Sequence, residues 1–402
     1  MEEDLIVVYV TNKSMNGEDK KSGYYASGYI PAKLSSRYPG KVYIVDINEE
    51  KNKEFLHGDY NQSLYAFPVD EKYGIDTFDI YKKKSILFDR DKRCRVRMIV
   101  PYVSSEADAQ ILKTMKGGYL DDVFYTNDPE TMAEFNSKDS LIRIRREGGD
   151  FLRDHIQPQT LIETEEDFLA YQSAHPNFVL RALRSTEGIG VYMHAPDYHE
   201  GRVQVVLDNP KEEQYDIKRL LSQGTLLATP YIDTSLGGDT RAFYYWDVEK
   251  EEPVVITQGC KRMAPHISKD NPFPVCNVSS GGQYEVVNLT PKQTEVIRQA
   301  GIYYHSLGLN VVGFDLLGIL CEGKLKPVLS EGNLSADAWN YVAHQSVSKG
   351  QEGPMRGDCL LIEMMSYYYK KAVSSHRSLP TPQKKSLSEQ SGILKEGKLF
   401  LE

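Results

Sequence analysis

The sequence predicts an α/β fold divided into more than one domain. Three observations predict it. The chain has 402 residues, against a usual ~100 to 200 per domain. In its first 128 residues, short β-branched runs alternate with helix-length segments. From Thr131 the texture changes to charged helical segments, followed by strand-like runs that frame a glycine-bearing loop.

The elements follow in order. Leu5–Val10 and Lys41–Ile47 are apolar runs of strand length, the second bounded by Pro39-Gly40 and charged residues. The residues between them include Tyr24–Ser36, long enough for a crossover helix, so the opening reads as a βαβ unit. Val96–Val100 and Val123–Tyr125 repeat the theme around a predicted helix at Glu106–Met115, giving an open α/β domain over residues 1–128. Phe178-Val179-Leu180 reads as a strand that enters the loop Ser185–Gly190, with a second strand after it. Thr290 and Pro291 supply a cap and a first helical residue. Val296, Ile297, Ala300, Tyr303, Tyr304 and Leu307 keep helical spacing, and Gly308 stops the helix. Strands are expected at Asn310–Leu316 and Lys326–Ser330, then an amphipathic helix from Leu360 to about Val373. Residues 374–402, rich in Ser, Pro, Lys and Gln, read as a loosely attached tail.

Composition excludes several classes of function. Hydrophobic residues at 40% and charged residues at 26% describe a globular chain and not a disordered one. A net charge of -9 argues against nucleic acid or anionic membranes as partners. Five cysteines without a CxxC pair fit neither a disulfide framework nor a zinc site and suit a reducing compartment. The acidic start Met1-Glu2-Glu3-Asp4 is unlike a signal peptide, and no apolar run approaches the ~20 residues that span a bilayer, so a cytoplasmic location is expected. The nine histidines form no HExxH, and there is no GxSxG, which removes metal-hydrolase and serine-hydrolase chemistry. Neither GxxxxGK[ST] nor GxGxxG occurs.

Three clusters remain. Glu331 and Asn333 are two apart on a predicted strand and so share a face, while Asp315 lies on the preceding strand of a predicted hairpin. Three hard oxygen ligands of this kind suit Mg²⁺. Solvated acids at strand ends are the alternative, but Asp315 sits between Phe314 and Leu316-Leu317, where an unpaired carboxylate is costly to bury. The loop Ser185–Gly190, preceded by Arg181 and Arg184, could cradle phosphate on its backbone amides or be a plain hairpin turn. Lys261-Arg262 precedes a long irregular stretch, Ala264–Gly282, which reads as a lid or as a solvated surface loop.

In order along the chain, these segments resemble the ATP-grasp ligases, specifically bacterial glutathione synthetase and the RimK-like glutamate ligases, over residues 123–373. Asn127, Pro129, Asn136 and Lys138 keep the synthetase's residue types and intervals. Phe178–Val191 resembles the RimK-type strand and glycine loop, with Arg181 where a lysine is usual and Ser185 in place of a glycine. Tyr231-Ile232 resembles the family's hinge and Gly238-Asp239-Thr240-Arg241 its arginine-bearing strand. Lys261-Arg262 matches a basic pair, and Asn277–Gly282 the Asn-x-x-x-Gly-Gly turn, without the family's arginine just before Asn277. Leu309–Leu317 with Glu331-Gly332-Asn333 resembles the metal-binding end.

The resemblance implies an ATP-grasp architecture: the N-terminal domain, a central subdomain over 129–227 and a C-terminal subdomain over 228–373, with ATP gripped between the last two. It implies ATP-binding roles for Lys138, Arg181, Ser185, Gly188, Gly190, Tyr231, Ile232 and Lys261, and catalytic roles for Arg241, Arg262 and Asn277. Asp315, Glu331 and Asn333 would hold two Mg²⁺, with Mn²⁺ as a substitute. His266, Lys269, Ser279, Ser280, Gly281 and Gly282 would form a substrate loop. The implied reaction joins a small-molecule or short-peptide carboxylate to an amine through an acyl phosphate, releasing ADP, and a homo-oligomer is allowed. The other reading left open is a non-catalytic ATP-binding protein resembling synapsin.

Overall fold

The computed structural model describes residues 6–11, 34–39, 41–47, 50–57, 64–68, 85–88, 96–102, 106–118, 123–135, 137–183, 191–194, 203–206, 217–234, 238–263, 283–334 and 365–370. Among them no helix is long and apolar enough to cross a membrane.

The first sheet holds β1 (Ile6–Thr11), β2 (Val42–Asp46), β3 (Leu64–Pro68), β4 (Ser85–Phe88), β5 (Val96–Tyr102) and β6 (Phe124–Tyr125), in the order β4-β3-β2-β1-β5-β6. The pairs β1–β2, β1–β5 and β5–β6 are parallel, as the predicted βαβ pattern requires. Ile44, Val45, Met98, Ile99 and Val100 are all buried, the continuous apolar run of a sheet covered on both faces. The helix Glu106–Gly118 buries Ala109, Leu112 and Met115 on one stripe and ends beyond the predicted Met115. The strands β3 and β4, which the sequence reading missed, add an antiparallel edge. Of the predicted crossover helix Tyr24–Ser36, residues 34–36 are described and helical; the others lie outside the described residues, as does the tail from Ser374.

The second sheet is antiparallel: β7 (Thr160–Ile162), β8 (Phe178–Ala182), β9 (Val191–His194), β10 (Val203–Val206) and β11 (Leu226–Pro230), ordered β10-β9-β8-β11-β7. Ile162, Phe178, Leu180, Leu226 and Ala228 make one apolar face, packed with Phe168, Tyr171 and Leu220 from two helices, Glu165–Ala174 and Ile217–Ser222. Both Phe168 and Tyr171 meet the Phe178 ring edge-on at 5.9 Å. By the strand register, Val179, Arg181, Leu227 and Thr229 form the opposite face.

The third sheet holds β12 (Asp239–Asp247), β13 (Glu252–Met263), β14 (Gln283–Asn288), β15 (Val311–Cys321) and β16 (Lys324–Asn333), antiparallel in the order β14-β13-β12-β15-β16. The predicted hairpin is present, with both strands longer than expected. The helix Pro291–Ser306 covers one face. Thr290 and Gln293 form a capping box at its start, and Gly308, at a φ of 95°, follows its end. Gly301 lets the sheet come close, since a Cβ there would stand 2.2 Å from ring carbons of Tyr244.

The first and third sheets share a continuous core through three short helices, Pro129–Phe135, Ser140–Glu147 and Gly149–His155, which contribute Met132, Phe135, Leu141, Ile144 and Leu152. Buried Asn127 ties the seam: its Nδ2 donates to the carbonyls of Val311 and Leu334 at 2.8 Å each, and its Oδ1 accepts from the Val311 N–H at 2.9 Å. Within the predicted C-terminal helix, residues 365–370 are described and helical. There Tyr368 donates to the Trp246 carbonyl at 2.5 Å, and Tyr369 packs on Tyr38 at 4.2 Å. The second sheet joins the rest near Gln157, whose N–H donates to Leu329 O at 3.0 Å and whose side chain donates to Pro230 O at 2.8 Å.

Candidate functional site

The face of the third sheet opposite the helix carries the chemistry. Strand register sets Arg241 beside Asp315, Asp315 beside Glu331, Asn333 beside Gly313 and Asp239 beside Arg262. Directly paired residues share a face, so five polar side chains and Asn333 point the same way. An irregularity at Asp315 makes this compatible with the core. Leu316 pairs with Leu329, which leaves Ser330 as an extra residue, and the Ser330 hydroxyl donates to Asp315 O at 3.1 Å. The extra residue lets Leu329 turn into the core while Glu331, two positions later, faces the site.

Asp315 is the centre of a buried ion network. Arg241 donates to it through Nε and Nη2 at 2.6 Å each, a bidentate fork, and Arg262 Nη2 lies 2.9 Å from Oδ2. Arg262 also donates to Asp239. Burial alone would raise the Asp315 carboxyl, but the two guanidiniums hold it well below the usual carboxylate range. Among the described residues Asp239 is hydrogen-bonded by Arg262 alone, and burial pushes it up to about 6. Cys260, beside Arg241, is pushed up to about 11 by burial and keeps its proton.

Lys138, from the turn before the helix Ser140–Glu147, reaches the same region. Burial pushes its ammonium down, Glu331 draws it up and Arg181 pushes it down again, so both charges are near enough to act on Lys138. Arg181 comes from the second sheet and Glu331 from the third, 150 residues apart in sequence. The site therefore takes charged groups from both sheets.

Lys261 is not brought to it. It pairs with Thr240 and Glu285, which alternate with the Asp239 and Arg262 face, and its Nζ lies 3.8 Å from Glu285. Tyr231 and Ile232 directly follow β11, half-buried, with the Tyr231 N–H donating to Asn177 O at 3.0 Å. Ser185, Gly188, Gly190, His266, Lys269, Asn277, Ser279, Ser280, Gly281 and Gly282 lie outside the described residues, with most of the predicted lid. Sequence reasoning gave Asp239 no role in the site; its alternation with Arg241 was the available signal.

Among the described residues no group of three His, Cys, Asp or Glu side chains is placed to hold a metal ion. A cation here would depend on Asp315, Glu331 and the amide oxygen of Asn333. That donor set is hard, burial favours the protonated form of the neighbouring thiol, and Asn333 Nδ2 is buried without a partner among the described residues, a donor that a phosphate oxygen or water would satisfy. The residues fit Mg²⁺.

No protein-family model matches the chain, and no curated protein matches it. Solved structures do. A D-alanyl-alanine synthetase A from Vibrio cholerae superposes with a TM-score of 0.54 at 13% identity, covering 93% of this chain and 99% of that one. The chain has the ATP-grasp fold. The VanG D-Ala:D-Ser ligase of Enterococcus faecalis matches at 0.53 and 9% identity, covering 91% and 100% of the two chains. An ATP-grasp ligase associated with a ribosomally synthesised peptide in Chryseobacterium gregarium, solved with ADP and a leader and core peptide, matches at 0.51 and 12% identity, covering 90% and 96%. These matches span 90% to 93% of this chain.

Proposed function

We propose that the protein is an ATP-dependent carboxylate–amine ligase that forms an amide through an acyl phosphate and releases ADP. One observation carries the reading: the Lys138 ammonium feels both Arg181 of the second sheet and Glu331 of the third, and Glu331 stands beside Asp315 and its two arginines on the face of the third sheet opposite the helix. Cations from two sheets and hard oxygen donors in one place suit a polyphosphate with its metal. The ADP-bound, peptide-bound ligase among the matched structures supports a peptide or amino-acid carboxylate as substrate. Glutathione-synthetase-like or RimK-like specificity is the finer form of the proposal.

In this reading a substrate carboxylate oxygen attacks the γ-phosphorus while the bond to the ADP oxygen breaks. The amine then attacks the acyl carbon, phosphate leaves, and the amine proton passes to solvent or phosphate. Lys138 and Arg181 would bind the nucleotide phosphates. Arg241 and Arg262 would donate to the transferring phosphoryl oxygens, where charge spreads in the transition state. No protein nucleophile is needed. Asp315, Glu331 and Asn333 would hold Mg²⁺, two ions by the resemblance, and Mg²⁺ bound there would neutralise phosphoryl charge. The free thiols of Cys260 and Cys321 suit a cytoplasmic setting.

The test is ADP release and product mass across a panel of amino acids, γ-glutamyl dipeptides and short peptides with Mg²⁺ and ATP. ADP formation that requires both a carboxylate and an amine is expected. AMP and pyrophosphate as products would rule out the acyl-phosphate route.

A further inference from the structure

Asp239 takes no part in the reaction above, yet it is one corner of the buried network. It lies two residues before Arg241 on β12, so both side chains leave the same face, and it stands across from Arg262 on β13. A single nitrogen, Arg262 Nη2, bonds both Asp239 and Asp315. The four side chains are 6% to 18% exposed, and two arginines with two aspartates sum to zero charge. Asp239 Oδ1 and Arg262 Nε are buried without a partner among the described residues, so neither group is saturated.

This arrangement conflicts with free access of a cation to Asp315. Both of its carboxylate oxygens are engaged by Arg241, and Oδ2 also by Arg262. A divalent cation approaching Asp315 meets two guanidiniums, and it can bind only if they swing away. A swung guanidinium needs a new anionic partner, which nucleotide phosphate supplies. Without Asp239, Arg262 would have Asp315 as its one carboxylate in this network, and the cluster would carry a net positive charge that favours phosphate and opposes a cation.

Resting on the nucleotide-and-metal reading of this site, we propose that Asp239 is a positioning residue that shares Arg262 with Asp315. The arginine can then turn to phosphate as the cation takes Asp315, so that nucleotide and divalent cation bind cooperatively.

The test uses the full chain and Asp239→Asn, which keeps the side-chain shape and changes the network from neutral to +1. ADP affinity is measured by calorimetry in EDTA, and Mn²⁺ affinity at saturating ADP by electron paramagnetic resonance. The two readouts should move in opposite directions: metal-free ADP binds roughly tenfold tighter and Mn²⁺ roughly tenfold weaker, the scale of one added buried charge. Asp239→Glu, which restores the charge, should bring both back toward the wild-type values. A merely structural role predicts parallel loss of both affinities with a fall in melting temperature. That outcome, or no change in either affinity, overturns the positioning role and leaves the nucleotide reading standing. Failure of the wild-type protein to bind ADP at all overturns the nucleotide reading itself and the positioning role with it.

Discussion

Asn127→Ala should cost about 3 to 5 kcal/mol, a large effect for one residue outside the reacting groups. The side chain is 2% exposed and makes three hydrogen bonds to backbone groups, two to carbonyls and one from an N–H. Alanine would remove all three and leave those groups facing an apolar gap. A buried backbone group without a partner costs about 1 to 3 kcal/mol, so the low end of the range applies if water enters the gap. The bonds also join β6 to the start of β15 and to Leu334, the residue after Asn333, so the loss falls on the strand ends that present the oxygen donors. Urea unfolding should show a lower midpoint at unchanged slope, and hydrogen exchange should quicken at the Val311 amide. Thr290→Ala, which removes an exposed capping box, is the control and should cost only about 1 kcal/mol. A loss below about 1 kcal/mol in Asn127→Ala would refute the argument that these bonds hold the seam.

Gly301→Ala should destabilise by about 2 kcal/mol despite the better helix propensity of alanine, because its Cβ would overlap the fully buried Tyr244 ring. A higher melting temperature would refute that. Asp315→Asn removes the shared anion from Arg241 and Arg262 and should cost about 3 to 5 kcal/mol in the ligand-free protein, with loss of Mn²⁺ binding at saturating ADP. An unchanged melting temperature would show that the pairs contribute nothing. His155 is held below the ordinary histidine range mainly by burial, so the folded state binds fewer protons than the unfolded chain. Its contribution is complete above about pH 6.5 and lost as pH falls through that region, so His155→Gln should flatten the melting temperature between about pH 7 and 5. An equally steep profile in the variant would move the effect elsewhere.

The fold was most legible where a local rule and the tertiary context agree. The helix Pro291–Ser306 announced itself through Thr290, Pro291, the apolar spacing and Gly308, and each of these does in the structure what its chemistry predicts. The parallel strands β1, β2, β5 and β6 were legible because strands buried on both faces read as continuous apolar runs. By contrast β3 and β4 are short, and the pairing of β3 with β2 and of β4 with β3 makes an antiparallel edge that no local pattern announces. The lengths of β15 and β16 were underestimated for a related reason. Leu320, Glu322 and Leu325 lie at the exposed end of the hairpin, where no burial pattern reaches.

The site was legible residue by residue but not as a network. Alternation alone put Glu331 and Asn333 on one face, and the apolar setting of Asp315 required a partner for its carboxylate. Which partner it takes depends on the register of β12 against β15, and on an extra residue at Ser330 that only the paired strands reveal. The same alternation, applied to adjacent Lys261 and Arg262, separates them: neighbours on a strand leave opposite faces, so a basic pair in sequence becomes one arginine at the site and one lysine beside Glu285. Lys138 and Arg181 belong to segments that approach the third sheet only after folding, and the opposing action of Glu331 and Arg181 on the Lys138 ammonium is a product of how the sheets are assembled. A carboxylate that two arginines already neutralise is not an open ligand. Its availability to a cation depends on where those arginines can go, and for Arg262 the nearest other anion in the network is Asp239.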